Sequence, residues 1–404
     1  MKRILSMLTV IAVITGCQPD KIGVTVTNTL ETVRAEEPLV LSREFVVTKL
    51  GVLAEGQKPL LIADGVALQQ QLDDLDGDGN WDELAALVSI DSLETKQLEL
   101  ITTSEYPEFT QRTRVYLGVD YERADNFVEK DEEERHVDNI AMVYPMMYQM
   151  EGPAWENDKV GFRNYFDSRN GKDIYAKTTT EMSLHLAGTK GQDYHKLDSW
   201  GMDVLKVGNS LGAGGVAMSY EDSLIRLGNT ASAKYVTVVE GSIRTIFDIR
   251  HQGWDTPMGA LDVTERITIW AGQYAFHEQI ILAGDQKVTW VAGLVNKHAE
   301  EMLAGEAGNS HYIATYDVQT ENQDKMGMGL ILSNDLFASN GETANEGEGV
   351  IETYFMKMKA PVSSPSFCFV AAWELSDERF KTEEGFVDYM QDLSSRINEP
   401  LTVL

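Results

Sequence analysis

Groups able to move protons or hold an anion concentrate in three stretches of this 404-residue chain. The first, residues 155–167, mixes Trp155, Phe162, Tyr165 and Phe166 with Lys159, Arg163 and Asp167. If extended, it puts Lys159, Gly161, Arg163, Tyr165 and Asp167 on one face and Phe162, Asn164 and Phe166 on the other. The second, residues 194–203, sets His195 among Tyr194, Lys196, Asp198, Trp200 and Asp203. The third, residues 242–250, alternates Ile243, Thr245, Phe247 and Ile249 with Arg244, Asp248 and Arg250, a core face against a polar one. An imidazole titrates near neutral pH, so His195 is the first candidate base, and His277, beside Glu278 on an alternating segment, the second. A guanidinium offers a carboxylate two parallel donors, which makes Arg163, Arg244 and Arg250 the candidate clamps for an anion. Tyr165 and Tyr194 are candidate acids. A polar strand face with two arginines and an aspartate is also what an ordinary salt-bridged surface looks like. The Trp and Tyr rings alongside, flat platforms suited to sugars, favour the functional reading.

A different chemistry is written into residues 74–83. Asp74, Asp76, Asp78 and Asp82 are spaced to aim side-chain oxygens at one hard cation, with Asn80 adding a carbonyl and Gly79 allowing the turn. The twelfth position is Ala85 instead of a bidentate glutamate, so this is a strand–loop–strand calcium loop or a metal-free Asp/Gly turn. Calcium here would be structural, clamping two strands, and no cofactor is expected for catalysis. Residues 208–212 match G-x-S-x-G around Ser210, but Gly212-Ala213-Gly214-Gly215 is a poor helix start, so a nucleophile elbow is disfavoured. No H-E-x-x-H or Cys/His cluster is present, which disfavours a zinc enzyme.

The elements that must carry these groups are strands. Short apolar or alternating segments recur at 39–50, 84–90, 97–102, 182–187, 216–227, 235–250, 263–270, 275–282, 313–317, 329–333, 350–358 and 367–373, separated by Gly, Asp and Asn. They predict a mainly β protein of large packed sheets, not a doubly wound one. One helix is expected near the C-terminus, capped by Thr382, with Phe386, Met390, Leu393 and Ile397 on one face and Pro400 beyond. Residues 122–138 and 342–348 read as charged loops.

The N-terminus decides where such a domain works. Lys2-Arg3, an apolar run over 4–14 and Thr15-Gly16-Cys17 have the order of an export signal ending in a lipobox. The expected layout is a signal at 1–16, lipidated Cys17 and a tether to 37, then one domain over 38–404, strand-rich up to about residue 120. Gln18 after the cysteine leans the expected location to the outer membrane of the cell envelope. Cys368 is then the one remaining thiol, in an apolar strand, and no disulfide can form within the chain. A formal charge of −30 weighs against nucleic acid as a partner, and an anionic substrate must meet a local cluster of cations.

Several of these segments together resemble one family. They are the lipobox, the Asp loop, Gly152-Pro153-Ala154-Trp155-Glu156-Asn157-Asp158-Lys159-Val160-Gly161-Phe162-Arg163, the 200–208 stretch with its glycine-rich sequel, and Ala371-Ala372-Trp373. The resemblance, over most of the mature chain, is to the DUF4861 lipoproteins of bacterial polysaccharide-utilisation loci. It implies a galactose-mutarotase-like β-supersandwich working beside enzymes that degrade uronate-containing polysaccharides such as ulvan and pectins. It also implies an oligosaccharide dehydratase that leaves a 4,5-unsaturated uronate. Such a reaction needs a base for the C5 proton, donors that hold the carboxylate as charge builds on it, and an acid for the departing hydroxyl. His195, then Arg163 with Arg244 or Arg250, then Tyr165 or Tyr194 fit those needs. A mutarotase or epimerase using a His acid and Glu278 as base, and a glycan-binding lipoprotein without catalysis, remain the alternatives.

Overall fold

The computed structural model describes residues 22–136, 144–359, 362 and 364–404. The signal, Cys17 and the lipid tether up to residue 21 lie outside the described residues. Two small antiparallel sheets come first. One runs Thr402–Val403, Ile22–Thr27, Thr95–Thr103, Lys58–Ala63, Val66–Ala67, and the other Arg34–Ser42, Glu83–Ile90, Gln70–Asp73. Alternate residues such as Val24, Val26, Leu39, Leu41, Leu98 and Leu100 meet in a core of their own. The strand expected over 39–50 divides at Ser42. Its side chain accepts the Phe45 N–H at 3.2 Å, capping the helix Arg43–Leu50, which Gly51 ends at φ 77°.

The rest of the chain is built on a nine-stranded antiparallel sheet. Its order is Glu132–His136, Ser232–Glu240, Arg244–Trp254, Leu261–Trp270, Ala275–Leu282, Ser366–Trp373, Lys325–Ser333, Ser310–Val318, Leu303–Ala307. A five-stranded sheet lies against it, ordered Gly201–Asp203, Lys172–Lys177, Val160–Asn164, Ala154–Asn157, Thr113–Tyr116. Phe247, Phe276 and Phe369 of the large sheet pack on Trp155 and Phe162 of the smaller one, with ring centroids 4.9–6.1 Å apart. A third sheet, Ser223–Arg226, Ala213–Tyr220, Trp290–Val295, Thr353–Met358, Phe337–Glu342, extends the core. The architecture is therefore the mainly β, antiparallel one expected. Residues 132–136, expected within a solvated loop, form a charged edge strand, a composition that discourages edge-to-edge pairing.

The C-terminal helix Glu383–Asn398 starts where expected, with Thr382 accepting the Gly385 N–H. Phe386, Met390 and Leu393 are buried, whereas Ile397 is 37% exposed. Gly327 and Gly329 make the seat: an added Cβ would come within 2.5 Å of the Phe386 ring or 2.3 Å of Met390. No helix among the described residues is long and apolar enough to cross a membrane.

Candidate functional site

The five-stranded sheet turns Phe162 and Ile174 into the core, so Arg163, Asp173 and Tyr175 point from its other face. Register then assembles the cluster: Arg163 pairs with Asp173, and Tyr175 with Asp203, across the ladder. Over this face folds the segment after residue 177, whose Leu184, Ala187, Tyr194 and Trp200 join Tyr116 and Tyr175 in a small apolar cluster. Tyr175 stacks between Tyr194 and Trp200, at 5.8 and 6.0 Å. The Tyr194 ring reaches His195 at 4.4 Å.

Arg163 is 1% exposed, and both of its terminal nitrogens are engaged while Nε has no partner among the described residues. Nη1 donates to the Met150 carbonyl at 2.5 Å and to Glu151 at 3.2 Å, and Nη2 to Asp173 at 2.6 Å and Asp203 at 3.5 Å. Its plane lies 3.8 Å from the Tyr165 ring centre, and the Tyr165 hydroxyl donates to Asp173 at 2.8 Å. Met150 and Glu151, at φ 52° and 67°, occupy the left-handed region that non-glycine residues avoid. That costly backbone aims a carbonyl and a carboxylate at one buried cation.

The charges are unequal in number. Burial, and then the Asp173 carboxylate, push Asp203 well above the usual carboxylate range, with Arg163 opposing the shift. At the rim, His195 Nδ1 lies 3.5 Å from Asp203 Oδ2, its own side chain 60% exposed. Burial pushes the Tyr194 phenol up to about 12, leaving it protonated at neutral pH. Arg169 completes the cluster: its guanidinium covers the other side of the Tyr165 ring at 3.9 Å and bonds Glu151 and Asp167. Its side chain is 31% exposed, and Nη1 has no protein acceptor among the described residues.

His195, Arg163, Tyr165 and Tyr194 are thus brought together, and the other sequence candidates are not. Arg244 is spent on Asp73 and Glu83, where the N-terminal sheets join the large one. Arg250 is an exposed partner of Asp248, which also holds Arg266. His277 and Glu278 point to opposite faces of one strand. His277 borders a cavity of about 320 Å³ under the end of the C-terminal helix. Glu278 is sealed between the sheets with Lys172, Glu265 and His251. They cannot act as an acid–base pair on one sugar. Ser210 is fully buried, its hydroxyl donating to the Val207 carbonyl, so it is no exposed nucleophile. Reading the sequence passed over Asp173, Arg169 and the role of Asp203. Asp173 alternates with Lys172 and Ile174, and only the register shows that it faces Arg163.

In the acidic loop, Asp74, Asp76 and Asp78 each offer an oxygen within 4.8 Å of the others, a set suited to a hard cation. Asp82 turns away to accept the Leu75 N–H, and Asp78 accepts that of Asn80.

Scaffold and cluster together define a mainly β protein that keeps a buried arginine–carboxylate group under an aromatic cover on one sheet face. An α-mannosidase from Enterococcus faecalis V583 shares the fold, with TM-score 0.50 and 10% identity, over 95% of this chain and 46% of that one. A glycosyl hydrolase family 38 protein from Enterococcus faecalis does so with TM-score 0.50 and 9% identity, over 95% and 47%. The chain spans about half the length of these solved structures. The chain belongs to the family described as Domain of unknown function (DUF4861), whose model matches residues 26–403. Uncharacterized protein P7 of Formosa agariphila is 22% identical over 401 residues, 94% of this chain and 92% of that protein.

Proposed function

We propose that this protein acts on oligosaccharides ending in a uronic acid and removes water across C4 and C5 of that sugar. The observation that carries the reading is an exposed imidazole backed by a buried carboxylate, with arginines on the same face. His195 takes the C5 proton. The electron pair of that C–H bond becomes the C4=C5 double bond, and the C4–O bond breaks. Tyr194, against the imidazole, gives its proton to the departing hydroxyl, which leaves as water. Asp203, too buried to touch a sugar, is a positioning residue that orients the His195 ring.

The carboxylate clamp falls to Arg169. A bidentate grip by Arg163 would first have to break its bonds to Asp173 and Glu151, whereas Arg169 keeps an unfilled donor at the surface. The family likeness and a fold shared with enzymes of carbohydrate breakdown support this reading over a passive binder. A lipid on Cys17 would hold the domain at an envelope membrane. The test is turnover of a uronate-ended oligosaccharide by wild type and by His195→Ala. Loss of one water in the wild type alone supports the reading, and equal turnover by the variant overturns the assignment of His195.

A further inference from the structure

Between the nine-stranded and the five-stranded sheet lies a group of charges that the proposed reaction does not use. Lys172 projects from Lys172–Lys177, Glu265 from Leu261–Trp270, Glu278 from Ala275–Leu282 and His251 from Arg244–Trp254. All four are buried. The ladder sets Ile267 opposite Glu278 and Ile280 opposite Glu265, so the two carboxyls are diagonal neighbours on the face that meets Lys172. An ion pair needs one carboxylate per ammonium, and a second carboxyl sealed in the same place adds to the cost of burial.

The two carboxyls are held differently. Glu265 is filled: Lys172 Nζ donates to Oε1 at 2.7 Å, Asn170 Nδ2 donates to Oε2 at 2.7 Å, and His251 Nε2 lies 2.6 Å from Oε2. Glu278 is not. Lys172 Nζ donates to its Oε1 at 3.3 Å and stands 3.0 Å from its Oε2, yet Oε2 accepts no hydrogen bond among the described residues. Near-equal distances to both oxygens put the carboxyl carbon about 3–3.5 Å from Nζ, the spacing of reacting atoms in a near-attack pair. Burial pushes Glu278 well above the usual carboxylate range and keeps it as the uncharged acid, the form an amine can attack. At Glu265 burial is outweighed, and Lys172 and His251 hold the group well below that range, as an anion able to take a proton.

We propose that Lys172 and Glu278 condense to an isopeptide bond that ties the two sheets together covalently. Glu265 takes one proton from the Lys172 ammonium, and the lone pair of the amine attacks Cδ of Glu278. The C–N bond forms, and the C–O bond to the Glu278 hydroxyl breaks. That hydroxyl leaves as water with a second proton from the nitrogen, while the first proton stays on Glu265. The ammonium and the Glu265 charge disappear together, so the product leaves no ion from this pair in the core, and that favours the bond.

Peptide mapping of the purified, denatured protein is the test. Trypsin does not cut after an acylated lysine, so the linked chain should yield one branched peptide, residues 170–177 joined to 267–287 and one water lighter than the two apart. That peptide should account for most of the signal from both segments. Glu265→Gln removes the proton acceptor and keeps both reacting groups, so it should give linear peptides with a cut after Lys172. Linear peptides alone from wild-type protein that melts cooperatively overturn the proposal, whether or not the variant folds. A branched peptide as abundant in Glu265→Gln as in wild type overturns the role given to Glu265.

Discussion

His195 Nδ1 and Asp203 Oδ2 stand 3.5 Å apart, an imidazole 60% exposed against a carboxyl 1% exposed. In the proposed reaction the imidazole meets substrate, while burial and Asp173 push the Asp203 carboxyl well above the usual carboxylate range. Replacing His195 with Ala should lower turnover by on the order of a hundredfold or more, the usual share of a positioned base. Asp203→Asn copies the neutral acid, so it should keep the melting temperature but shift the pH profile of kcat/KM. A large loss of stability in that variant would mean that Asp203 is an ionised partner of Arg163.

Arg163 and Arg169 should separate in kind. Arg163→Ala leaves Asp173 and Asp203 buried without their cation and should cost about 3–5 kcal/mol in denaturant unfolding. Arg169→Ala should leave the fold intact and reduce turnover by on the order of a hundredfold, with Arg169→Lys rescuing poorly, because an ammonium cannot keep the bonds to Asp167 and Glu151 and still present a further donor in the same place. Equal behaviour of the two alanine variants in both assays contradicts this division.

What could be read from the residues was periodicity, and what could not was register. The alternation of Phe162 and Ile249 with Arg163 and Arg250 located the faces correctly, and Thr382 and its apolar stripe located the helix. Residues 39–50 misled because Val46 and Val47 favour a strand locally while Ser42 caps a helix. Residues 182–187, expected as a strand, hold a single 3₁₀ turn, Leu184–Leu186, that covers the site. Arg244 drew attention as a charge on a polar face, yet its partners Asp73 and Glu83 lie more than a hundred residues away in sequence. Long-range pairing of this kind leaves no local pattern.

The acidic loop should respond to calcium. If Asp74, Asp76 and Asp78 bind the ion, it stabilises the native state by mass action, about 2.7 kcal/mol when its concentration is a hundred times Kd. Chelation should then lower Tm, and Asp76→Asn with Asp78→Asn should remove the difference. An identical melt with and without calcium supports a bare turn.

Burial lowers the His277 pKa from 6.5 to about 4. The unfolded chain therefore takes up the proton first as pH falls, and the stability present above pH 6.5 drains away between 6.5 and about 4, by at most about 3 kcal/mol. His277→Gln should flatten that part of the Tm-against-pH curve. A variant curve parallel to wild type refutes the assignment.

Water loss in the proposed reaction depends on the sugar's own carboxylate. The direct measurement is a side-by-side incubation of the wild-type protein with a saturated uronate-ended oligosaccharide and with its carboxyl-reduced analogue, followed by mass spectrometry and ultraviolet absorbance. The C5 proton is acidic only beside the carboxylate, and Arg169 can grip only the acid. Loss of one water and a new ultraviolet band are expected from the uronate, and no change in the reduced sugar. No product from the uronate, or equal turnover of the reduced sugar, would contradict it.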